Sequence, residues 1–127
     1  AAPGQPGAGE AKPAGNQAQA EQARELFRQA MFQYNAGNLR KALEALNQAK
    51  TLDPTNEQAA RWAVRAGTEL DRLVDQHYRQ GLLALKYMRR DEAAAELRFV
   101  VESAPDAGDE RVRDARAKLE GLEGKKP

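Results

Sequence analysis

Ser103, His77 and the carboxylates of Asp71 and Asp75 are the residues from which a chemical site would have to be built. Ser103 is the only serine and His77 the only histidine, and there is no cysteine. A base-activated nucleophile needs the hydroxyl or thiol, the imidazole and a third orienting group held together. The helical periodicity described below puts Ser103 at the end of one helix and His77 inside another, which leaves no acyl-transfer site. Asp71 and Asp75 stand one helical turn apart with His77 close in sequence, an arrangement that invites comparison with a cation site. Arg72 and Arg79 flank them, however, and the reading is a solvated, salt-bridging face. The remaining acids are scattered among bases, and no glycine-rich phosphate loop follows a strand. The expectation is a protein that is not an enzyme and that needs no metal and no cofactor.

The elements that must carry these residues are helices. Of the 127 residues 41% are hydrophobic, but 25 of those 52 side chains are alanine, there is no isoleucine, and only 7 are aromatic. Alanine and leucine lose little side-chain entropy in a helix, whereas the β-branched residues that fill sheets are scarce, at 5 Val and 3 Thr. The expected fold class is all-α. Twenty Lys+Arg against 19 Asp+Glu give a net charge of +1, which argues against a dedicated nucleic-acid binder, because counterion release needs bases in clear local excess. No run of about 18 apolar residues is present, so no membrane span is expected. The chain begins Ala1-Ala2-Pro3 with no initiator Met and no signal pattern, and it reads as a processed form or an excised fragment.

Residues 1 to 22 contain no Val, Leu, Met, Phe, Trp or Tyr but hold 7 Ala, 4 Gly and 3 Pro. Such a stretch cannot bury enough apolar surface to offset the entropy of ordering it, so residues 1–20 are expected to be a flexible linker, with helix beginning from about Gln17 at the earliest, or else a frayed terminus. The domain proper is expected over 21–123. Ala23, Leu26, Phe27, Ala30, Met31 and Tyr34 recur at the three-and-four spacing of one helical face, predicting a first helix over about 20–36. Gly37-Asn38 breaks it. A second helix starts near Leu39, turns Ala42, Leu43, Leu46 and Ala49 inward, and ends at Leu52-Asp53-Pro54. The two form an antiparallel hairpin.

After Asn56 the positions Ala60, Val64, Gly67, Leu70, Val74, Tyr78, Gly81, Leu85 and Met88 step by threes and fours without a proline. The spacing predicts one long central helix over about 56–87, weakest at Gly67. A fourth helix, with Asp91 as its N-cap, carries Ala93, Ala94, Leu97, Val100 and Val101 and stops before Pro105. A C-terminal capping helix over 109–122 carries Val112, Ala115, Leu119 and Leu122, with Arg111, Arg113, Arg116 and Lys118 solvated. Residues 124–127 are expected to fray.

The two hairpins superimpose when Pro54 is set on Pro105, an offset of 51 residues. Ala42 then matches Ala93, Leu46 matches Leu97, Ala49 matches Val100 and Ala30 matches Gly81. Small residues on both helices let the backbones nest, and the leucine fills the gap above them. At these residues the chain resembles the tetratricopeptide repeat, a helix-turn-helix unit of interaction scaffolds. The resemblance rests on the stretch from Ala36 to Leu46 followed by Leu52-Asp53-Pro54-Thr55-Asn56, and on His77 to Gly81, Asp91-Glu92-Ala93 and Pro105. It implies repeats over about 23–56 and 74–107, separated by an extension within the long helix. The family's glycine in the first helix is Ala30 in the first unit, and its tyrosine three residues on is Gln33 and Ala84.

In that family the first helix of each repeat lines a groove for a partner segment. The resemblance therefore implies groove positions at Arg24, Phe27, Arg28, Met31, Tyr34 and Asn35, and at Tyr78, Arg79, Leu82, Leu85 and Lys86. Phe27 and Met31 replace the lysine and asparagine with which some relatives clamp a terminal carboxylate, so an amphipathic segment fits better than a free C-terminus. Alternatively, Phe27, Met31 and Tyr34 simply pack against the third helix. Trp62 is either core against the first hairpin or, if exposed, an interface anchor. Arg79, Lys86, Arg89, Arg90 and Arg98, interleaved with Tyr78 and Tyr87, give the second hairpin a basic cast that Asp91, Glu92 and Glu96 dilute.

The functional expectation is a non-catalytic adaptor or assembly module that binds a protein partner or peptide segment. The alternatives are a scaffold that dimerises through the long helix and, more weakly, binding to nucleic acid or an anionic membrane surface through the second hairpin. The Ala-, Arg- and Gly-rich usage resembles that of GC-rich bacterial multidomain or envelope-associated proteins. The compartment, cytoplasm or periplasm, is left open, as is a tether through the linker to a membrane protein.

Overall fold

The computed structural model describes residues 13–124, with side chains from Gln17 onward. Residues 1–12 of the linker expected over 1–20, and 125–127 of the expected tail, lie outside the described residues, while 13–20 belong to the first helix. Among the described residues five α-helices follow one another: α1 Pro13–Asn35, α2 Leu39–Leu52, α3 Glu57–Lys86, α4 Arg90–Ser103 and α5 Glu110–Leu122. No strand occurs among the described residues, so the chain is all-α as its alanine and leucine content dictates. By packing it divides into two compact units that meet within α3, one ending at Gly67 and the other starting at Thr68.

In the first unit α1, α2 and the leading half of α3 enclose a core made largely of alanine. Ala23, Ala30, Leu46, Ala49, Ala59, Ala63 and Ala66 are buried, and Leu26, Phe27, Met31, Tyr34, Leu43, Ala45, Leu52 and Trp62 pack half-buried around them. Small side chains on every helix permit close approach, and Leu46 is the one long aliphatic group wholly enclosed in that cage. In the second unit the rest of α3, α4 and α5 bury Leu70, Val74, Gly81, Ala84, Ala93, Leu97, Val100, Val112, Ala115 and Leu119.

The offset of 51 residues seen in the sequence governs the backbone as well. Between α1 and α2, the amides of Ala36, Gly37 and Asn38 donate to the carbonyls of Phe32, Tyr34 and Gln33. Between α3 and α4, the amides of Tyr87, Met88 and Arg89 donate to those of Leu83, Leu85 and Ala84. Ala42 closes on Asn38 as Ala93 does on Arg89, and Asp53 on Ala49 as Ala104 does on Val100. Beyond the prolines the offset becomes 53. Asp53 Oδ1 accepts from the Thr55 amide and Asp106 Oδ1 from that of Gly108, after which Asn56 and Asp109 cap α3 and α5 through the amides of Ala59 and Arg111. Pro54 and Pro105 stand exposed just past α2 and α4, where no helical amide is needed.

One position in this shared turn differs in conformational cost. Gly37 has φ +88°, and its counterpart Met88 holds φ +62°, a left-handed conformation that costs a side-chain-bearing residue about 1–2 kcal/mol. Gly37→Ala is expected to destabilise the chain by about 1 kcal/mol, while Met88→Gly leaves stability unchanged or raises it. Paired thermal melts check both, and a Gly37→Ala protein as stable as the parent would contradict the strain.

Several expectations need correction. Helix α1 starts at Pro13, earlier than the predicted 17–20, because proline is tolerated in a first turn and Ala and Gln extend a helix already nucleated by the packed segment 23–35. Asp91 is not the N-cap of α4. Arg89 occupies that position without a side-chain cap, and Asp91 lies in the first turn, where its charge opposes the helix dipole. Val64 and Met88, placed on the inward stripe of α3, are 69% and 79% exposed. The stripe rotates off Val64 because Ala63 and Ala66 carry the contact, and Met88 lies beyond the end of the helix. Gly67 does not interrupt α3. Arg111, expected in solvent, is largely covered by acidic partners, as described next.

Candidate functional site

The groove positions predicted on α1 fall into two groups. Arg24, Arg28 and Asn35 are exposed, and Arg28 pairs with Glu25 on the same helix. Phe27, Met31 and Tyr34 are half-buried and belong to the rim of the first unit's core. Tyr34 meets Trp62 edge to face at 5.0 Å between centroids, and Arg65 covers the indole at 5.0 Å. Trp62 thus packs against Tyr34 of the first hairpin and carries a cation over its ring. On the outer side of α1 and α2, Leu26, Asn47, Gln48, Thr51 and Leu52 line a shallow hollow of about 430 Å³. Sequence reasoning missed it because Asn47, Gln48 and Thr51, which help to line it, sit on the face of α2 that reads as solvated.

In the second unit, Leu82 and Leu85 are half-buried, Arg79 and Lys86 exposed. Arg79 pairs with Asp75 at 2.8 Å. Tyr78 is committed internally: its hydroxyl donates to Asp114 Oδ2 at 2.6 Å, while Lys118 donates to Asp114 Oδ1 at 2.6 Å. The charge-assisted bond from Lys118, with that from Tyr78, holds the Asp114 carboxyl below its ordinary pKa. The same hydrogen bond to Asp114, with burial adding to it, pushes the Tyr78 phenol up to about 12.

A group with a raised pKa contributes stability that is complete below its unfolded value and is lost as pH rises through the folded one. For Tyr78 that window runs from about 10 to about 12. Absorbance titration near 295 nm is expected to show a component that ionises late, and Tyr78→Phe to remove it. A titration unchanged in Tyr78→Phe would contradict the bond. Asp114 and Asp109, both lowered, act in the opposite direction: their contribution is present above about 3.9 and fades as pH falls below it.

Asp71, Asp75 and His77 do not converge. Arg111 of α5 takes both aspartates, reaching Asp71 at 2.7 Å and Asp75 at 3.6 Å, and is held in turn by Asp109 at 2.7 Å. The hydrogen bonds from Arg111 lower the Asp109 carboxyl and raise the guanidinium's own pKa. The salt-bridging face exists, but its cation comes from α5 and from Arg79, with Arg111 as the hub, a link between distant residues that α3 periodicity alone does not carry. His77 turns elsewhere. Its Nδ1–H donates to Glu96 Oε1 at 2.5 Å, and its ring stacks on Phe99 at 3.9 Å between centroids. Among the described residues no group of three or more His, Cys, Asp or Glu side chains is placed to hold a metal ion. No described helix is long and apolar enough to cross a membrane.

Of the remaining bases of the second hairpin, Arg98 pairs with Glu123 and Arg89 with Glu92 at 3.6 Å. Among the described residues, neither Lys86 nor Arg90 reaches a carboxylate. No protein-family model, curated protein or solved structure matches the chain.

Proposed function

We propose that the chain is a non-catalytic protein-interaction module of tetratricopeptide-like helical hairpins, serving as an adaptor or assembly element. The observation that supports this best is the common register of its two units. Ala30 and Gly81, Ala42 and Ala93, Leu46 and Leu97, and Ala49 and Val100 are buried in matching pairs, around turns whose backbone hydrogen bonds repeat. Repetition of this kind builds surface rather than an enclosed site, and interaction scaffolds use it for that purpose. In the first unit the partner-facing edge is Arg24, Arg28 and Asn35, above a floor of Phe27, Met31 and Tyr34. In the second it is Arg79 and Lys86 beside Tyr78, Leu82 and Leu85. Because the aromatic and apolar members of both sets also support their own units, the cations at the edge carry the selectivity and the floor carries shape.

Affinity capture from an extract of the source organism tests the proposal, with the chain and an Arg24→Glu/Arg28→Glu variant as parallel baits. Both substituted residues are exposed, so the core is untouched, and an unchanged helical signal checks that the variant folds. A protein retained by the parent and depleted with the variant is the expected result. Equal recovery on both baits would remove the α1 face from the account, and recovery of the chain alone would favour a self-associating scaffold.

A further inference from the structure

The α3–α4 turn of the second unit carries more apolar and cationic side chain than its fold requires. The first unit makes the same turn, with the same backbone hydrogen bonds, from Ala36, Gly37 and Asn38. In the second unit those positions are Tyr87, Met88 and Arg89. Met88 is 79% exposed and Tyr87 58% exposed, so neither side chain belongs to the core, and Met88 holds a left-handed backbone that glycine would adopt freely. Leu83, one helical turn before Tyr87 and on the same face, is 47% exposed. Lys86 and Arg89 each lie 5.9 Å from the centre of the Tyr87 ring, and Arg90 follows at the start of α4. Three solvated apolar groups with cations beside Tyr87, rich in Tyr, Met and Arg, have the composition of an interface core.

We propose that this turn is a docking surface for an acidic amphipathic segment of a partner protein. The segment's apolar side chains cover Leu83, Tyr87 and Met88, and its carboxylates meet Lys86, Arg89 and Arg90. Charge selects this occupant. Lys86 and Arg90 have no carboxylate partner among the described residues, and Arg89 has only the 3.6 Å contact with exposed Glu92. An anionic bilayer is the poorer fit, because Asp91 and Glu92 follow immediately and a uniformly negative surface would press against them. A peptide can place its acids on the cations alone. The inference rests on the reading of the chain as a protein-interaction module and adds to it a contact surface on the second unit.

The test is amide chemical-shift mapping on the full chain with a peptide of about 18 residues, leucine along one helical face and glutamate along the other. A counterpart with lysine in place of glutamate, and phosphatidylglycerol vesicles, serve as parallel probes. The second protein is Tyr87→Ala/Met88→Gly, which copies the Ala36-Gly37 turn that this chain already folds. The glutamate peptide is expected to shift amides over 83–90, the lysine peptide to leave them in place, and the variant to bind at least tenfold more weakly with an unreduced melting temperature. Shifts confined to α1 would overturn the docking surface while leaving the interaction module standing. Equal binding of both peptides, no response to the glutamate peptide, or a response to vesicles alone would overturn it as well, whereas failure of the module reading itself shows in the capture experiment.

Discussion

Leu97→Ala and Leu46→Ala are each expected to lower the stability of the chain by about 2–5 kcal/mol, the range for removing a buried leucine and leaving a cavity. Both side chains are completely buried and occupy the same position in their respective units. The buried residues that share a cluster with Leu46 are Ala23, Ala30, Ala49, Ala59, Ala63 and Ala66, whose methyl groups have no rotamer with which to fill the gap, so any relaxation falls to the half-buried rim. Leu97 packs directly over the bare backbone of Gly81. Chemical denaturation with an unchanged slope is the measurement. A loss below about 1 kcal/mol at either site would mean that the leucine is not the keystone of its unit.

Gly81→Leu is expected to cost about 1–3 kcal/mol through overpacking. Even a single Cβ at this position would stand 2.7 Å from Leu97 Cδ2, 2.9 Å from Leu97 Cγ and 3.4 Å from the Glu96 Cβ. The closest atoms belong to one side chain, so the strain should couple to it. In a double-mutant cycle the cost of Gly81→Ala should shrink in a Leu97→Ala background, where the offending atoms are gone. Gly67 provides the contrast within the same helix. A Cβ there meets only Leu43 Cδ1 at 3.9 Å, so Gly67→Ala is expected to stabilise by about 0.5–1 kcal/mol through helix propensity. Equal effects at Gly67 and Gly81 would contradict close approach of α3 and α4 at Gly81.

Much of this packing was legible because it depends on spacing. Ala42, Leu46 and Ala49 recur at helical intervals, and aligning Pro54 with Pro105 transfers the pattern to Ala93, Leu97 and Val100, all of them buried. The turn at Gly37 was legible from glycine. Its counterpart at Met88 was not, because nothing in a methionine announces a left-handed backbone, and the residue instead extended the apolar rhythm of α3. Val64 misled in the same way: in a helix so rich in alanine the inward stripe is narrow, and a valine at its margin falls outside.

The candidate site was less legible than the fold. Phe27, Met31 and Tyr34 were identified as apolar members of the α1 face, but periodicity does not distinguish a residue that lines a groove from one that seals a core, and these three sit at the core rim. Arg111 illustrates a different limit. Its partners Asp71 and Asp75 are 40 and 36 residues away in sequence, and only the packing of α5 on the second unit brings them together. Tyr78 with Asp114 is a similar case, and it converts an expected groove residue into part of an internal hydrogen-bonded pair.

The chain is proposed to bind another protein rather than itself or a small molecule. Light scattering behind size-exclusion chromatography tests it most directly, first on the chain alone and then with the captured partner added. A 14.0 kDa monomer that shifts to the summed mass of a stoichiometric complex is the predicted result. A chain that already elutes at twice its own mass, and that the partner leaves unchanged, would contradict the account.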